Sequence, residues 1–164
     1  MFEIPSDLNP ALVGLAWLRG RWEGTGYREW PGEEKIEFGA QIDFVDNGGD
    51  YLHYLSQTWT LDADGQPDAP LAMETGFWRP AGASGIEVVL TSPEGWVEVW
   101  VGALLGAKIE LTTDLVARTD TAELSYTGGH RLYGNVDGDL MWTFDRATTD
   151  VRLQPYMWAR LQRA

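Results

Sequence analysis

Two histidines, His53 and His130, are the only imidazoles in this 164-residue chain, and it has no cysteine. Without a thiol there can be no zinc–thiolate site, iron–sulfur cluster, disulfide framework or cysteine nucleophile. His53 falls in a strand-like run and His130 beside Gly128-Gly129, at no spacing that would bring both to one ion. A neutral imidazole at either place could ligate a metal or a haem iron, but a hydrogen-bonding role is the simpler expectation. The chain has no H-E-x-x-H pair, phosphate loop, strand-to-helix G-x-G-x-x-G or nucleophile elbow. The common enzyme classes are therefore not expected.

One local pattern stands out, Gly20-Arg-Trp-Glu-Gly-Thr-Gly26, a G-x-W-x-G-x-G run. Gly24-Thr25-Gly26 lies within a strand pattern, which gives phosphate binding no context. Glycines in a strand mark a bend, a bulge or the close approach of another backbone or a ligand, and Trp22 between them would plug or line a barrel end. The acidic pairs Glu33-Glu34 and Glu94/Glu98 read most simply as solvated turns and strand faces.

The elements that would position these residues are strands. Short runs rich in Val, Ile, Leu, Thr, Trp and Tyr recur about every 8–12 residues between Gly, Asp, Asn and Pro, the pattern of an all-β sandwich or barrel. They fall at about 20–30, 34–46, 49–61, 70–80, 85–92, 95–104, 107–114, 115–127, 129–137 and 139–148, with a last extended segment near 153–163. Turn signals include Asn47-Gly48-Gly49-Asp50, Asp62-Ala-Asp-Gly65, Gly128-Gly129 and Asp137-Gly138. Between Asp7 and Leu18, apolar residues at three- and four-residue steps predict one short helix that could cap a barrel end. Sequential hairpins predict a single antiparallel up-and-down barrel of about ten strands over residues 1–164. A barrel wider than eight strands leaves room for a ligand. Nine tryptophans and six tyrosines suit the wall of such a cavity.

Aspartate and glutamate outnumber lysine and arginine by 25 to 12, a net charge of −13. This balance repels phosphate backbones and anionic membrane surfaces, so no nucleic-acid partner is expected. No window approaches the roughly 20 apolar residues of a membrane span, and Met1–Asp7 lacks a basic start, so no membrane insertion and a cytoplasmic location are the expectations.

Over essentially its whole length the sequence resembles the nitrobindin family, haem-binding β-barrels that look like enlarged fatty-acid-binding proteins. Leu15-Ala-Trp-Leu-Arg-Gly-Arg-Trp-Glu-Gly-Thr-Gly26 is similar to the family opening, and Tyr51-Leu-His-Tyr-Leu-Ser-Gln-Thr-Trp59 to its third-strand pattern. Met73-Glu-Thr-Gly-Phe-Trp-Arg-Pro80, Ile86–Leu90 and Gly95–Val99 follow in order. Leu153-Gln-Pro-Tyr-Met-Trp-Ala-Arg-Leu161 resembles the family's L-Q-P-H-L ending. The resemblance implies haem b, held through the histidine of that ending, with nitric-oxide binding and conversion of peroxynitrite to nitrate. This chain departs from it in three places: Tyr156 stands where the ligating histidine would be, Ala72 where a second pocket histidine would be, and Gly32 where a haem-facing threonine would be. It is nearer the ferric nitrobindin-like subgroup, which keeps Gly20, Trp22, Gly24 and Gly26 and has a divergent pocket.

The resulting expectation is a barrel that takes a small hydrophobic ligand, with Trp22, Gly32, His53, Ala72 and Tyr156 as ligand-binding candidates, no catalytic residue and no cofactor. The alternative is a haem b protein acting as a peroxynitrite isomerase, with Tyr156 as the metal ligand or His53 turned inward. A phenol ionises near pH 10 in water, so ferric-iron binding as phenolate calls for a nearby cation. In a regular strand Tyr156, Trp158 and Arg160 share a face, which makes Arg160 the candidate. A homodimer is the one protein partner kept open.

Overall fold

Each strand pairs antiparallel with the next in sequence, and the last returns to the first, so that no edge is left unpaired. The computed structural model describes residues 4–164, and Met1 to Glu3 of the amino-terminal stretch lie outside the described residues. The strands are β1 (Gly20–Arg28), β2 (Ile36–Val45), β3 (Leu52–Leu61), β4 (Pro67–Ala81), β5 (Gly85–Ser92), β6 (Trp96–Leu104), β7 (Lys108–Arg118), β8 (Tyr126–Val136), β9 (Asp139–Thr148) and β10 (Gln154–Arg163). They form the ten-stranded closed barrel that the hairpin pattern predicts.

The sequence segments 107–114 and 115–127 are in fact one strand, β7, and a loop from 119 to 125. Asp114, read as a break, is an extra residue in the ladder: Thr113 faces Trp100 and Leu115 faces Val99. Gly128-Gly129 is likewise no turn. Both glycines lie within β8 beside a register shift between Tyr126 and Gly128, where the ring of Phe144 leaves no space for a side chain on Gly129.

The predicted helix forms as a 3-10 helix, Pro10–Leu18, with the Asn9 side chain accepting a bond from Ala11 N at 3.0 Å and Pro10 in the first turn. Three residues per turn align Leu12, Leu15 and Leu18, all fully buried. Burial of each is worth about 1.5–3 kcal/mol. This face closes one end of the barrel. Trp22 Nε1 donates to Leu18 O at 2.7 Å, and Arg163 lies over the Trp22 ring and donates to Trp17 O at 2.8 Å. Trp22, Ile42, Phe44, Leu52, Trp78, Ile86, Ile109, Leu140 and Leu161 are packed in the core. The lumen is thus solid toward the helix and hollow toward the opposite end.

Candidate functional site

The hollow half is a cavity of about 670 Å³, within the roughly 300–1,000 Å³ of small-molecule sites. Alternation along each strand supplies its wall: Ser56 and Thr58 from β3, Ala72 and Glu74 from β4, Trp96 and Glu98 from β6, Arg131 from β8, and Trp142, Phe144 and Arg146 from β9. Tyr156 and Met157 of β10 line it together, although consecutive strand residues ordinarily face opposite ways. A bulge explains this. Pro155 pairs with Asp145 and Met157 with Phe144, which leaves Tyr156 as the extra residue. Its carbonyl accepts from Glu29 N at 2.9 Å, and its ring meets Trp30 and Phe144 edge-on at centroid distances of 5.6 Å each.

The bulge also separates Tyr156 from Arg160. Arg160 is on the outer wall, paired with Asp139 at 2.5 Å, and Trp158 meets the Tyr27 ring outside at a tilt of 35°. The cation beside Tyr156 is instead Arg146, whose guanidinium carbon lies 3.6 Å from the Tyr156 ring centroid and 4.1 Å from that of Trp30. Burial pulls the Arg146 guanidinium below its ordinary range, while Tyr156 and Glu33 act in the other direction.

Toward the packed half, the cavity is floored by charge. Arg131 Nη1 and Nη2 meet Glu74 Oε1 and Oε2 at 2.5 and 2.9 Å, a two-pronged pairing that fits the planar guanidinium to a carboxylate. Tyr54 Oη donates to Glu74 at 2.8 Å, and Arg131 lies over the rings of Trp100 and Phe144. Burial pushes the Glu74 carboxyl up, but Arg131 and the Tyr54 hydroxyl overcome this and hold it below the ordinary carboxylate range. Glu98 is 1% exposed, so it is not the solvated strand-face residue that the sequence suggests. It accepts from Tyr126 Oη at 2.5 Å, and its Oε2 has no hydrogen-bond partner.

Burial lifts the Glu98 carboxyl to about 7. Arg131 opposes the rise, Glu74 adds to it, and the Tyr126 hydroxyl and the Trp100 indole, the latter outside hydrogen-bond geometry, favour the ionised form. An unfolded glutamate loses its proton near 4.3, whereas folded Glu98 keeps it to about 7. Stability is therefore full below the unfolded value and falls as pH rises across that window, by on the order of 3 kcal/mol. Glu98→Gln should remove this loss: in urea unfolding the variant gains on the wild type between about pH 4 and about pH 7 and keeps that gain at higher pH. Parallel pH profiles would refute this account.

Residues 11–163 match the family model of the THAP4-like, heme-binding beta-barrel domain. The chain is 60% identical to a ferric nitrobindin-like protein of Cutibacterium acnes, over 99% of both chains. The chain belongs to the nitrobindin family. It is also 43% identical to a peroxynitrite isomerase of Nocardioides sp., over 99% of this chain and 98% of that protein. The crystal structure of Rv2717c from M. tuberculosis superposes with a TM-score of 0.85 at 31% identity, covering 96% of this chain and 99% of that one.

Of the positions singled out by comparison with nitrobindins, the structure brings Ala72 and Tyr156 together on the cavity wall. Gly32 occupies the third position of a turn closed by Glu33 N to Trp30 O at 3.0 Å. Its φ of +81° suits glycine, and it stands exposed beside the mouth without lining the cavity. Trp22 is in the solid half. Gly24 and Gly26 lie where β10 presses on β1: a Cβ on Gly26 would stand 2.2 Å from Trp158 O. Among the motif residues, Gly20 has a φ of +119° at the start of β1.

His53 does not face the lumen. It is on the outer side of β3, with Nε2 2.8 Å from Thr75 Oγ1. Thr75 donates its only proton to Tyr54 O at 2.8 Å, so we assign the His53 proton to Nε2, donating to Thr75. His130 Nε2 lies 2.9 Å from Glu110 Oε1, at a partly exposed position. Neither histidine lines the cavity. Sequence reasoning missed Glu74, Glu98, Arg131 and Arg146, the residues that set the cavity's polarity. Among the described residues no helix is long and apolar enough to cross a membrane.

Proposed function

We propose that this nitrobindin-family barrel binds a small hydrophobic molecule in its open half without haem held through histidine. The observation that carries this reading is the cavity wall itself. It combines Trp96, Trp142, Phe144, Leu71 and Met157 with the buried polar Ser56, Thr58, Glu98, Arg131 and Arg146, a polar rim and no imidazole. Histidine-ligated haem does not fit these residues. At the family's ligand position is the phenol of Tyr156, held by Trp30 and Phe144 and covered by Arg146. Binding alone requires no catalytic residue, and the proposal assigns none. A homodimer and a cytoplasmic location remain part of the same proposal and do not bear on the pocket.

One observation supports a second reading: Tyr156 faces the cavity with a cation against it, the setting in which a phenol can serve ferric iron. In that reading haem b is the cofactor and the chemistry is that of the peroxynitrite isomerase relative. A ferric haem titration followed by absorbance separates the two, with Tyr156→Phe and Tyr156→His run alongside. The expected result is no stoichiometric ligated-iron spectrum for the wild type or the phenylalanine variant, and at least about tenfold tighter binding by the histidine variant, equivalent to 1.4 kcal/mol. Stoichiometric wild-type binding that the phenylalanine variant loses would overturn the first reading in favour of the second.

A further inference from the structure

Two buried arginines line the cavity, and they differ in one respect. Arg131, 3% exposed, is matched by the two carboxylate oxygens of Glu74. Arg146, 7% exposed, makes no ion pair with any described residue and rests against the rings of Trp30 and Tyr156. Its Nε is buried without a hydrogen-bond partner in the protein. A buried guanidinium is costly unless a counter-charge and hydrogen-bond acceptors meet it; here the Tyr156 hydroxyl and the more distant Glu33 favour its charge, but neither forms an ion pair with it and burial outweighs both. Nearby Arg28 pairs with Glu33 at 3.1 Å, and its own Nε is also buried without a partner.

We propose that the ligand of this cavity is an aromatic or otherwise apolar carboxylic acid, its carboxylate paired with Arg146 and its hydrophobic body against Trp142, Phe144 and Met157. The inference rests on the lumen-ligand reading above and names the chemical class that the lumen selects. A carboxylate supplies in-plane acceptors that match the guanidinium edge, while Trp30 and Tyr156 fix the orientation of that edge. Arg146 shares its face of β9 with Trp142 and Phe144, so one strand presents both the anchor and the apolar wall. The glutamates at the rim, Glu33, Glu94 and Glu123, are exposed on the turn after β1, the turn after β5 and the loop after β7, where solvent and salt screen them, and Glu33 is paired with Arg28.

The test is calorimetric titration with 2-naphthoate and with 2-naphthamide, a neutral molecule of nearly the same shape, on the wild type, Arg146→Met and Arg146→Lys. The wild type should bind the acid at least about tenfold more tightly than the amide. Arg146→Met should abolish that preference by weakening the acid more than the amide, with a cooperative thermal unfolding transition reporting an intact fold, and Arg146→Lys should retain part of the preference. Equal wild-type affinities, or a preference that survives in Arg146→Met, would overturn the carboxylate assignment and leave the hydrophobic-ligand reading standing. Failure of the wild type to bind either compound would remove both.

Discussion

Glu74→Ala is expected to lower the free energy of unfolding by about 3–5 kcal/mol, because it takes from the Arg131 guanidinium its paired carboxylate and leaves only Glu98, a carboxyl that burial keeps protonated to about 7. For a chain of this size the loss corresponds to a fall in Tm of about 6–20 °C. The Arg131 side chain is 3% exposed, and its Nε already lacks a partner. Tyr54 would lose its acceptor in the same step. The control is the double variant Glu74→Met with Arg131→Met. If the cost comes from an orphaned charge, removing both charges should recover most of it. A single variant costing less than about 1 kcal/mol would refute the buried-pair account, since that is the size of an exposed surface pair.

Gly26→Ala should be about as damaging, through steric overlap. The added methyl would stand 2.2 Å from Trp158 O, 2.6 Å from Ala159 Cβ and 2.8 Å from Phe38 Cζ. The nearest atom is backbone across the β1–β10 seam, where Gly26 pairs with Ala159, so no side-chain rotation relieves the clash. A cost of about 3 kcal/mol or more is expected, at the upper end for overpacking, with faster exchange of amide protons along β1 and β10 than elsewhere in the barrel. Uniformly unchanged exchange at the seam would show that the strands accommodate the methyl. On this account Gly24 and Gly26 of G-x-W-x-G-x-G serve barrel closure, and Trp22 serves the packed end.

Strand count and closure were legible because polar turn residues interrupt alternating runs nearly everywhere. The two misreadings both occur at bulges, where an extra residue imitates a break: Asp114 in β7, and the Tyr126–Gly128 irregularity in β8. The same device at Tyr156 hid the relation between Tyr156 and Arg160, since alternation puts them on one face only in an uninterrupted strand. The cavity's charges, in contrast, had a signal that was not used. Glu98 lies two residues from both Trp96 and Trp100, Arg131 two from Tyr133, and Arg146 two from Phe144. A charged residue in step with buried aromatic ones along a strand shares their face, just as Arg160 shares the outer face with Trp158. That Arg131 has a carboxylate and Arg146 has none could not be read in this way, because Glu74 comes from β4, 57 residues earlier in the chain.

The barrel is plugged at the helix end and hollow at the other, and this has a kinetic consequence. A molecule that enters the hollow half must leave by the route it came in. The rim segments around residues 29–35, 93–95 and 119–125 therefore set the barrier for arrival and departure alike. A change confined to the rim that touches no bound molecule should speed or slow both by the same factor and leave the dissociation constant where it was. Retention time can thus be tuned on the rim, separately from affinity, which is determined below it.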